Sequence, residues 1–414
     1  MRLRLGLLVG TLVVAATVCV TALAGSASAP GVNIHHFVIG GTFPLSGPAA
    51  SYAPIPVGMK VFFTYTNTHR TNGKRGVGGR QVIWKYYDDG YSPPNTVQQT
   101  RKLVEEDKVF ALFGGLGTEP QQAVVDYLNQ RKVPQLFVST GATEFGAKYK
   151  EDPYTIGWQP DYFAEGKIYG EYAAQNWATK KIGVIYQNDD YGKNYLDGLK
   201  AGLGAKVSNI VTTQGFAVTD TSVAQQVSAI KAANVDVIAI FGTPTPTIRT
   251  YATMKALKFK PEQVIVNSVS ATDTFMKAAL TNADAATVNG SISTTYLMDV
   301  NDPKYANTAG MKLYRAQMAK WAPSADPNNE LYFYGFAKGY DAVKLLTATG
   351  KNPTRAKLLT AARHMNWTNP FLLPGVKVKT SPTDPFPISQ VKLIQFKDGL
   401  WTEISGLIAG RNST

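Results

Sequence analysis

Almost wholly apolar strand patterns alternate with helical patterns along most of this chain. The segments VFALF (109–113) and VDVIAIF (235–241) are apolar at almost every position, so polar and apolar residues do not alternate along them. Strands of this composition are buried on both faces, which is typical of parallel sheets covered by helices. Since the crossover between parallel strands is right-handed, the pattern predicts a doubly wound α/β fold.

The pattern occurs twice, on either side of a polar stretch that ends before residue 164. Strands are predicted at 36–40, 81–87, 109–113, 134–138, 182–186, 207–211, 235–241 and 263–266. Helices are predicted at 96–107, 121–131, 164–179, 191–203 and 221–233. Two such sets predict two similar lobes. The last region differs, because 376–379, 390–396 and 400–403 resemble short antiparallel strands, with Lys397, Asp398 and Gly399 at a hairpin turn.

The amino terminus has the pattern of a secretory signal peptide. Arg2 and Arg4 precede an apolar run from 5 to 24, and Ala27-Ser28-Ala29 supplies a small-residue cleavage site. We therefore predict a signal peptide at 1–29 and export to the periplasm or the outer face of the cell membrane. A retained membrane anchor is the alternative, because the apolar run approaches spanning length.

Composition narrows the class of protein further. The 414 residues are 44% hydrophobic and 17% charged, which is a globular composition with room for two domains. The only cysteine is Cys19, so a chain cleaved at the predicted site has no disulfide, thiol nucleophile or cysteine metal ligand. The formal net charge of +13 indicates anionic surroundings such as a cell wall or membrane surface. Lysines and arginines are scattered, so we predict no nucleic acid partner.

Catalytic motifs are nearly absent from the sequence. No histidine has metal-ligand spacing with another histidine or a carboxylate, and there is no nucleophile elbow or phosphate loop. The pairs Asp88-Asp89 and Asp189-Asp190 follow predicted strands, where acids commonly cap turns and helices. We therefore expect a protein that is not an enzyme and that holds no metal and no cofactor. A secreted hydrolase that uses the aspartate pairs is the alternative.

Loops rich in glycine and hydroxyl groups follow three of the predicted strands. Ser46 lies in the first loop with Tyr52 just beyond it, and the others are 114–120 and 139–143. Ligands of open α/β sheets bind at the carboxyl ends of strands, and a helix start there stabilises an anion such as a carboxylate. Each loop alone is typical of an ordinary turn, but together they predict a cleft for a small molecule.

Aromatic residues near these loops extend the predicted cleft. Four of them lie in loops or at helix starts, namely Tyr52, Trp158, Tyr162 and Tyr191. Aromatic side chains in such places can close over a ligand, and ordinary packing is the alternative.

Eight segments form an ordered series over nearly the whole chain beyond the predicted signal peptide. They are FPLSGPAASY (43–52), GVGGRQV (76–82), YYDDGYSPP (86–94), VFALFGGLGTEP (109–120), VPQLFVSTGAT (133–143), IGVIYQNDDYG (182–192), VDVIAIFG (235–242) and LPGVKVKTSPTD (373–384). Their order and spacing resemble the periplasmic solute-binding proteins of ABC transporters, of the branched-chain amino acid (Leu/Ile/Val) type. The resemblance implies two Rossmann-like lobes joined by three crossing segments, which close on a ligand held between them.

The resemblance also implies a division of the chain and a function. Lobe one would comprise 33–156 plus 293–365, lobe two 157–292 plus 366–405, and 406–414 would be a tail. The protein would be a monomeric receptor that captures a small solute and delivers it to an ABC transporter permease. A ligand-sensing receptor without transport, built on the same fold, is the alternative.

The family pattern points to particular binding residues. In relatives, lobe one holds the ligand carboxylate with two strand-end loops, whose matching positions here are Gly117 or Thr118 and then Gly141 and Thr143. The aromatic positions of the pattern match Tyr52 and Tyr191.

The sequence departs from the family pattern on the ammonium side. Relatives that bind α-amino acids place a glutamate in the loop after the strand that is here 263–266. This chain has 267–271 there, with Ser268 but no acid before Asp273, and Thr243 stands where relatives have a further aromatic. A buried ammonium without a carboxylate partner is costly, so amino acids, carboxylic acids and amides all stay open as ligands. Asp273 or Asp189 could supply the charge if the loop folds differently.

Overall fold

The structure is a computed structural model that describes residues 29–410. The predicted signal peptide therefore lies outside the described residues, except for Ala29. The strands are β1 His36–Phe43, β2 Arg70–Thr71, β3 Lys74–Arg75, β4 Gln81–Asp88, β5 Ala111–Phe113, β6 Gln135–Val138, β7 Thr155–Gly157, β8 Ile182–Gln187, β9 Ile210–Phe216, β10 Val237–Phe241, β11 Gln263–Val266, β12 Ile292–Thr295, β13 Asn366–Trp367, β14 Val378–Lys379, β15 Gln390–Lys397, β16 Leu400–Glu403 and β17 Ile408–Ala409.

Helices separate most of these strands. They are α1 Pro54–Thr68, α2 Pro93–Arg101, α3 Thr118–Gln122, α4 Val125–Gln130, α5 Glu144–Ala147, α6 Tyr162–Asn176, α7 Asp190–Leu203, α8 Ala224–Ala232, α9 Pro244–Ala256, α10 Asp273–Asn282, α11 Ala285–Val288, α12 Ala309–Trp321, α13 Glu330–Ala348 and α14 Arg355–Ala362. Within residues 29–410, no helix is both long and apolar enough to cross a membrane.

Two separate sheets carry the fold. The first has the order β4-β1-β5-β6-β7, and all of its pairings are parallel. The second has the order β16-β15-β12-β11-β10-β8-β9, in which β15 and β16 are antiparallel additions to a parallel core. The predicted doubly wound α/β fold is confirmed, as is the hairpin turn, where Asp398 and Gly399 both have positive φ.

The chain passes between the two sheets three times. It leaves the first sheet after β7 to form β8, and returns after β12 to form α12 and α13, which pack on α1. It then passes to β15 of the second sheet. Phe371, beyond the predicted limit of lobe one at 365, still packs against Phe62 and Phe336. The lobe limits stay a prediction. In the segment predicted to be a tail, residues 408–409 pair with β15.

Two of the predicted elements are wrong in detail. The strand predicted at 207–211 begins only at Ile210, because residues 204–209 form a 3₁₀ turn and Val207 is exposed. The helix predicted at 121–131 is broken into α3 and α4. There the carbonyl of Gln121 accepts a hydrogen bond from the side chain of Gln135, which takes the place of a helical partner.

Close packing of α1 on α13 fixes the position of α13 over the first sheet. A Cβ atom at Gly58 would lie 2.0 Å from the carbonyl oxygen of Tyr332, and one at Gly335 would lie 2.0 Å from that of Ile55. The glycines therefore allow the two helix backbones to touch. As a result α13 presents one side of its first three turns to the space between the lobes.

Candidate functional site

A cavity lies between the two sheets, at the carboxyl ends of their strands. Its volume is about 1080 Å³ when counted out to its mouth, and most of its exposed lining is apolar. The first lobe supplies the loops after β1, β5, β6 and β7, and the second lobe those after β8, β10, β11 and β12. This is the position expected for a ligand of an open α/β sheet.

Hydroxyl groups line the end of the cavity that adjoins the first sheet. The hydroxyls of Thr118 and Thr140 lie 2.7 Å apart, and the backbone nitrogen of Ala142 donates to Thr140. Gly117, with φ of 107°, sits directly before α3, and a Cβ atom there would lie 2.7 Å from the ring of Tyr91. Only a glycine allows the loop to run this close to the ring.

A buried lysine lies beneath this polar end. Lys338 is 0% exposed, and its ammonium donates to the hydroxyls of Ser139 and Tyr334, which both line the cavity. The ammonium also lies 4.9 Å from the ring centroid of Trp158. Burial lowers the pKa of Lys338 well below its ordinary value, while the charge of Asp341 opposes this shift. Burial thus disfavours the charged form of this lysine, and an anion placed beside the hydroxyl groups would favour it again.

Asp341 does not neutralise Lys338 by direct contact. Its two carboxylate oxygens accept hydrogen bonds of 2.8 Å from the indole nitrogens of Trp158 and Trp367. Burial raises the pKa of Asp341 to about 6. The two tryptophans thus hold the carboxylate away from the lysine, one turn further along α13.

A chain of hydrogen bonds leads from Lys338 along the cavity wall. The Tyr334 hydroxyl donates to Oε1 of Gln159 at 2.7 Å, and Nε2 of Gln159 donates to the Tyr162 hydroxyl at 2.9 Å. Each donor in such a chain polarises the next, so the Tyr162 hydroxyl becomes a stronger donor. The end of the cavity near Lys338 is consequently suited to an anion.

Tyrosine rings from both lobes close over the cavity. The Tyr52 hydroxyl donates to the carbonyl of Val269 across the cleft at 3.2 Å. The ring of Tyr191 meets that of Tyr162 edge-on at 5.0 Å between centroids. The hydroxyl of Tyr191 is buried and has no hydrogen-bond partner, which leaves it available to a ligand.

Three carboxyl groups meet at another part of the cavity. Oxygens of Asp273, Asp299 and Glu330 lie within 4.8 Å of one another, and all three residues belong to the lining. Burial raises the pKa of Asp273 to about 6 and that of Glu330 to about 7, and repulsion between the carboxylates adds to both shifts. This group is the part of the described chain best suited to a cation.

The loop at 267–271 is organised without an acid of its own. The side chain of Asn267 bonds the carbonyls of Ile240 and Gly242, and Ser268 donates from its backbone nitrogen and its hydroxyl to Glu165. Glu165 also accepts from the hydroxyls of Tyr169 and Tyr195. Both oxygens of this buried glutamate are therefore occupied from within the protein.

Six of the ten residues predicted for the site line the cavity. These six are Tyr52, Gly117, Thr118, Tyr191, Thr243 and Ser268. Their binding roles stay predictions, but the structure brings them together around one space.

The other four predicted residues lie outside the lining. Ser46 is exposed, and its backbone nitrogen bonds Asp88. Gly141 packs against the carbonyl of Pro160, and Trp158 lies behind the wall on Asp341. The hydroxyl of Thr143 donates at 2.6 Å to Asp161, which caps the start of α6.

Sequence reasoning missed Glu330, Tyr334 and Lys338. They are four residues apart on a helix, which places them along one side of it. The spacing is readable in the sequence, but nothing in it indicates that this side of α13 borders the cavity.

Comparison with known proteins agrees with this geometry. The family model described as "Periplasmic binding protein" matches residues 37–400. The Leu/Ile/Val-binding protein homolog 3 of Brucella melitensis is 25% identical over 223 residues, which are 54% of this chain and 58% of that protein. The leucine-, isoleucine-, valine-, threonine-, and alanine-binding protein of Pseudomonas aeruginosa is 24% identical over 196 residues, 47% of this chain and 50% of that protein. The chain thus spans little more than half the length of the curated relatives it matches.

Solved structures share the fold over nearly their full length. A branched-chain amino acid ABC transporter structure from Thermus thermophilus with bound valine has a TM-score of 0.79 at 14% identity, and covers 91% of this chain and 97% of its own. A fatty acid ABC transporter substrate-binding protein from Thermomonospora curvata has a TM-score of 0.75 at 17% identity, and covers 92% of this chain and 94% of its own. The architecture, the position of the cavity and the family match agree, and the chain belongs to the periplasmic binding protein family.

Proposed function

We propose that this protein is an exported receptor that captures a small solute and delivers it to an ABC transporter permease. The observation that carries the proposal is the enclosed, mostly apolar cavity between the two lobes, with a buried lysine beneath one end. Small-molecule sites in proteins are typically concave and mostly apolar with a few polar groups, as this cavity is. Names of related proteins that bind branched-chain amino acids or fatty acids support the same class of function.

Capture would depend on opening and closing of the lobes. Bonds cross the cleft from Tyr52 to Val269 and from Gln122 to Asp190. A ligand of the cavity's size must break such contacts to enter, and hinge motion between lobes supplies the opening. We infer that the arrangement described here corresponds to the closed form.

The ligand that fits best has an apolar body and an anionic head, of which a carboxylate is the simplest. An anionic head near Lys338 would favour the charged form of that lysine, and the hydroxyls of Thr118 and Tyr162 supply donors at the cavity surface. Hydrogen bonds that involve a charged group are about twice as strong as neutral ones. The loop at 267–271 places no acid beside this head, which disfavours an α-ammonium group there.

Thermal unfolding of the purified chain with three matched compounds tests this proposal. Leucine, isocaproate and isocaproamide share one branched carbon skeleton and differ in their polar groups. A ligand that binds the native state raises the melting temperature by mass action, so isocaproate should raise it most. The absence of a shift with every carboxylate tested would contradict the proposed ligand class.

Delivery to a permease has its own test. Uptake of labelled ligand should be lost in cells that lack the protein and restored when it is returned. Unchanged uptake would favour the sensing alternative. We further propose export, a monomeric state and a binding rather than a catalytic role, for which the named relatives are all binding proteins.

A further inference from the structure

One side of α13 runs along the cavity from the acidic group to the buried lysine. Glu330, Tyr334 and Lys338 follow one another at intervals of four residues, and each contacts the cavity or the groups that line it. A helix rises about 1.5 Å per residue, so Glu330 and Lys338 are about 12 Å apart along the axis. The helix therefore carries an acidic group at the cavity and, two turns further on, a buried lysine bonded to the lining residue Tyr334.

The acidic group has carboxylate oxygens with nothing to bind. Asp273 is only 1% exposed, and its Oδ1 has no hydrogen-bond partner; neither has the buried Oδ2 of Asp299. Glu330 differs, because its oxygens accept from the backbone nitrogen of Asp273 at 2.7 Å and from the hydroxyl of Thr274 at 3.0 Å. Two buried carboxylate oxygens, one of Asp273 and one of Asp299, thus lack a hydrogen-bond partner. Buried acceptors without a partner destabilise a folded protein.

Positive charge near these oxygens is weak. The ammonium of Lys277 lies 3.7 Å from Oδ2 of Asp273, but its side chain is 54% exposed. Asn301 donates to that same oxygen at 3.1 Å. Neither group reaches the free Oδ1, which has no hydrogen-bond partner among the described residues.

We propose that Asp273 and Asp299 bind an ammonium group at the far end of an elongated ligand whose carboxylate lies near Lys338. This inference rests on the proposed function and specifies the substrate class as ω-amino carboxylic acids with an apolar middle. An α-amino acid does not suit both groups, because its two charges sit on neighbouring carbon atoms while the backbones of Glu330 and Lys338 are about 12 Å apart along α13.

A divalent metal ion fits these oxygens less well. Ca²⁺ takes six to eight oxygen ligands, and Mg²⁺ requires a near-ideal octahedron. Here the oxygens of Glu330 are already used, and apolar residues such as Leu331 and Met298 border the same space. An ammonium group needs only two or three acceptors and carries an alkyl chain that these residues can cover.

The test compares four organic probes by calorimetry on the full chain. The probes are ω-aminocaprylate, caprylate, octylamine and leucine. The ammonium contact predicts that ω-aminocaprylate binds at least about tenfold more tightly than caprylate, as expected when a hydrogen-bonded charge is added. Asp273→Asn should abolish this advantage and leave the affinity for caprylate within about twofold.

Two further variants keep the test decisive. Asp299→Asn should also remove the tighter binding of ω-aminocaprylate over caprylate. This variant replaces Asp273→Asn in the test if that protein does not fold. Asp197→Asn makes the same chemical change on the exposed surface of α7 and should alter no affinity.

The possible outcomes separate the two proposals. Equal affinity for caprylate and ω-aminocaprylate overturns this inference and leaves the proposed function standing. Tighter binding of leucine than of either of these two compounds has the same consequence. If no carboxylate probe binds, the proposed ligand class and this inference both fail. Ca²⁺ alone could also raise the melting temperature of the wild type. If Asp273→Asn removes that rise, the ammonium assignment is overturned in favour of a metal.

Discussion

Glu330 at the start of α13 accepts a hydrogen bond of 2.7 Å from the backbone nitrogen of Asp273 across the cleft. The bond places a carboxylate at the amino terminus of α10, where the helix dipole favours negative charge. By the predicted lobe limits, a residue of lobe one therefore caps a helix of lobe two, and we expect the contact to break when the lobes open.

Replacement of this cap should shift the protein toward an open form. Glu330→Ala removes acceptors that contribute about 1.5–3 kcal/mol each when charged, whereas Glu330→Gln keeps one acceptor oxygen. Small-angle scattering without ligand should give a larger radius of gyration for the alanine variant and an intermediate one for glutamine. A radius of gyration that equals the wild-type value in both variants would show that other contacts hold the lobes.

The acidic group should make the ligand-free protein less stable as the pH rises. The pKa of Asp273 is about 6 in the folded state against 3.8 ordinarily, and that of Glu330 is about 7 against 4.5. Between the unfolded and folded values the native state binds more protons, so its free energy of unfolding falls from about pH 4 to about pH 7. Urea unfolding across this range should show a shallower fall for Asp273→Asn than for wild type. Parallel curves for the two proteins would contradict the raised pKa.

Loss of the buried ammonium should weaken binding of carboxylates selectively. Lys338→Met keeps the apolar stem and removes the charge, so the affinity for isocaproate should fall about tenfold or more. The affinity for isocaproamide should change little. The variant should also unfold at a higher temperature, because removal of a poorly compensated buried charge is often stabilising. Lys200→Met, on the exposed surface of α7, is the matched control, and equal losses for acid and amide would contradict the role of the charge.

The free hydroxyl of Tyr191 should contribute to binding rather than to stability. Tyr191→Phe removes a buried group that has no partner, so the free energy of unfolding should stay the same or rise by about 1 kcal/mol. Ligand affinity should fall, measured by the same calorimetry. Tyr195→Phe, one turn along α7, loses a bond to Glu165 and should show the reverse: lower stability and unchanged affinity.

The family pattern and the geometry of the structure predict different roles for Thr143. The pattern places it on the ligand carboxylate, but its hydroxyl bonds Asp161, which caps α6, and its backbone nitrogen bonds Asn194. Thr143→Ala should therefore cost about 1 kcal/mol of stability and leave the affinity for a bound ligand unchanged. A selective loss of affinity without loss of stability would restore the pattern's assignment.

Local sequence patterns were sufficient for most of the fold. Buried strands such as β10 have apolar residues at every position, and this pattern requires cover on both faces whatever the rest of the chain does. The error at 121–131 arose where a tertiary contact decided the outcome. The side chain of Gln135 donates a hydrogen bond to the carbonyl of Gln121 near the end of α3. No local sequence pattern predicts that bond.

The site was less predictable than the fold for a related reason. Strand-end loops can be located from the sequence, so residues such as Thr118 and Thr243 were found. Lys338 lies 95 residues beyond Thr243 in the sequence, and its place beside the cavity depends on the glycine contact that holds α13 against α1. Long-range packing, rather than residue type, makes these side chains part of the site.

The antiparallel hairpin at the end of the chain also borders the cavity, through Ile394 of β15 and Trp401 of β16. The lining thus begins at Tyr52 and is complete only when nearly the whole chain is in place. A polypeptide that is still being synthesised has no finished binding site until the hairpin at 390–403 has formed, because that hairpin supplies part of the wall.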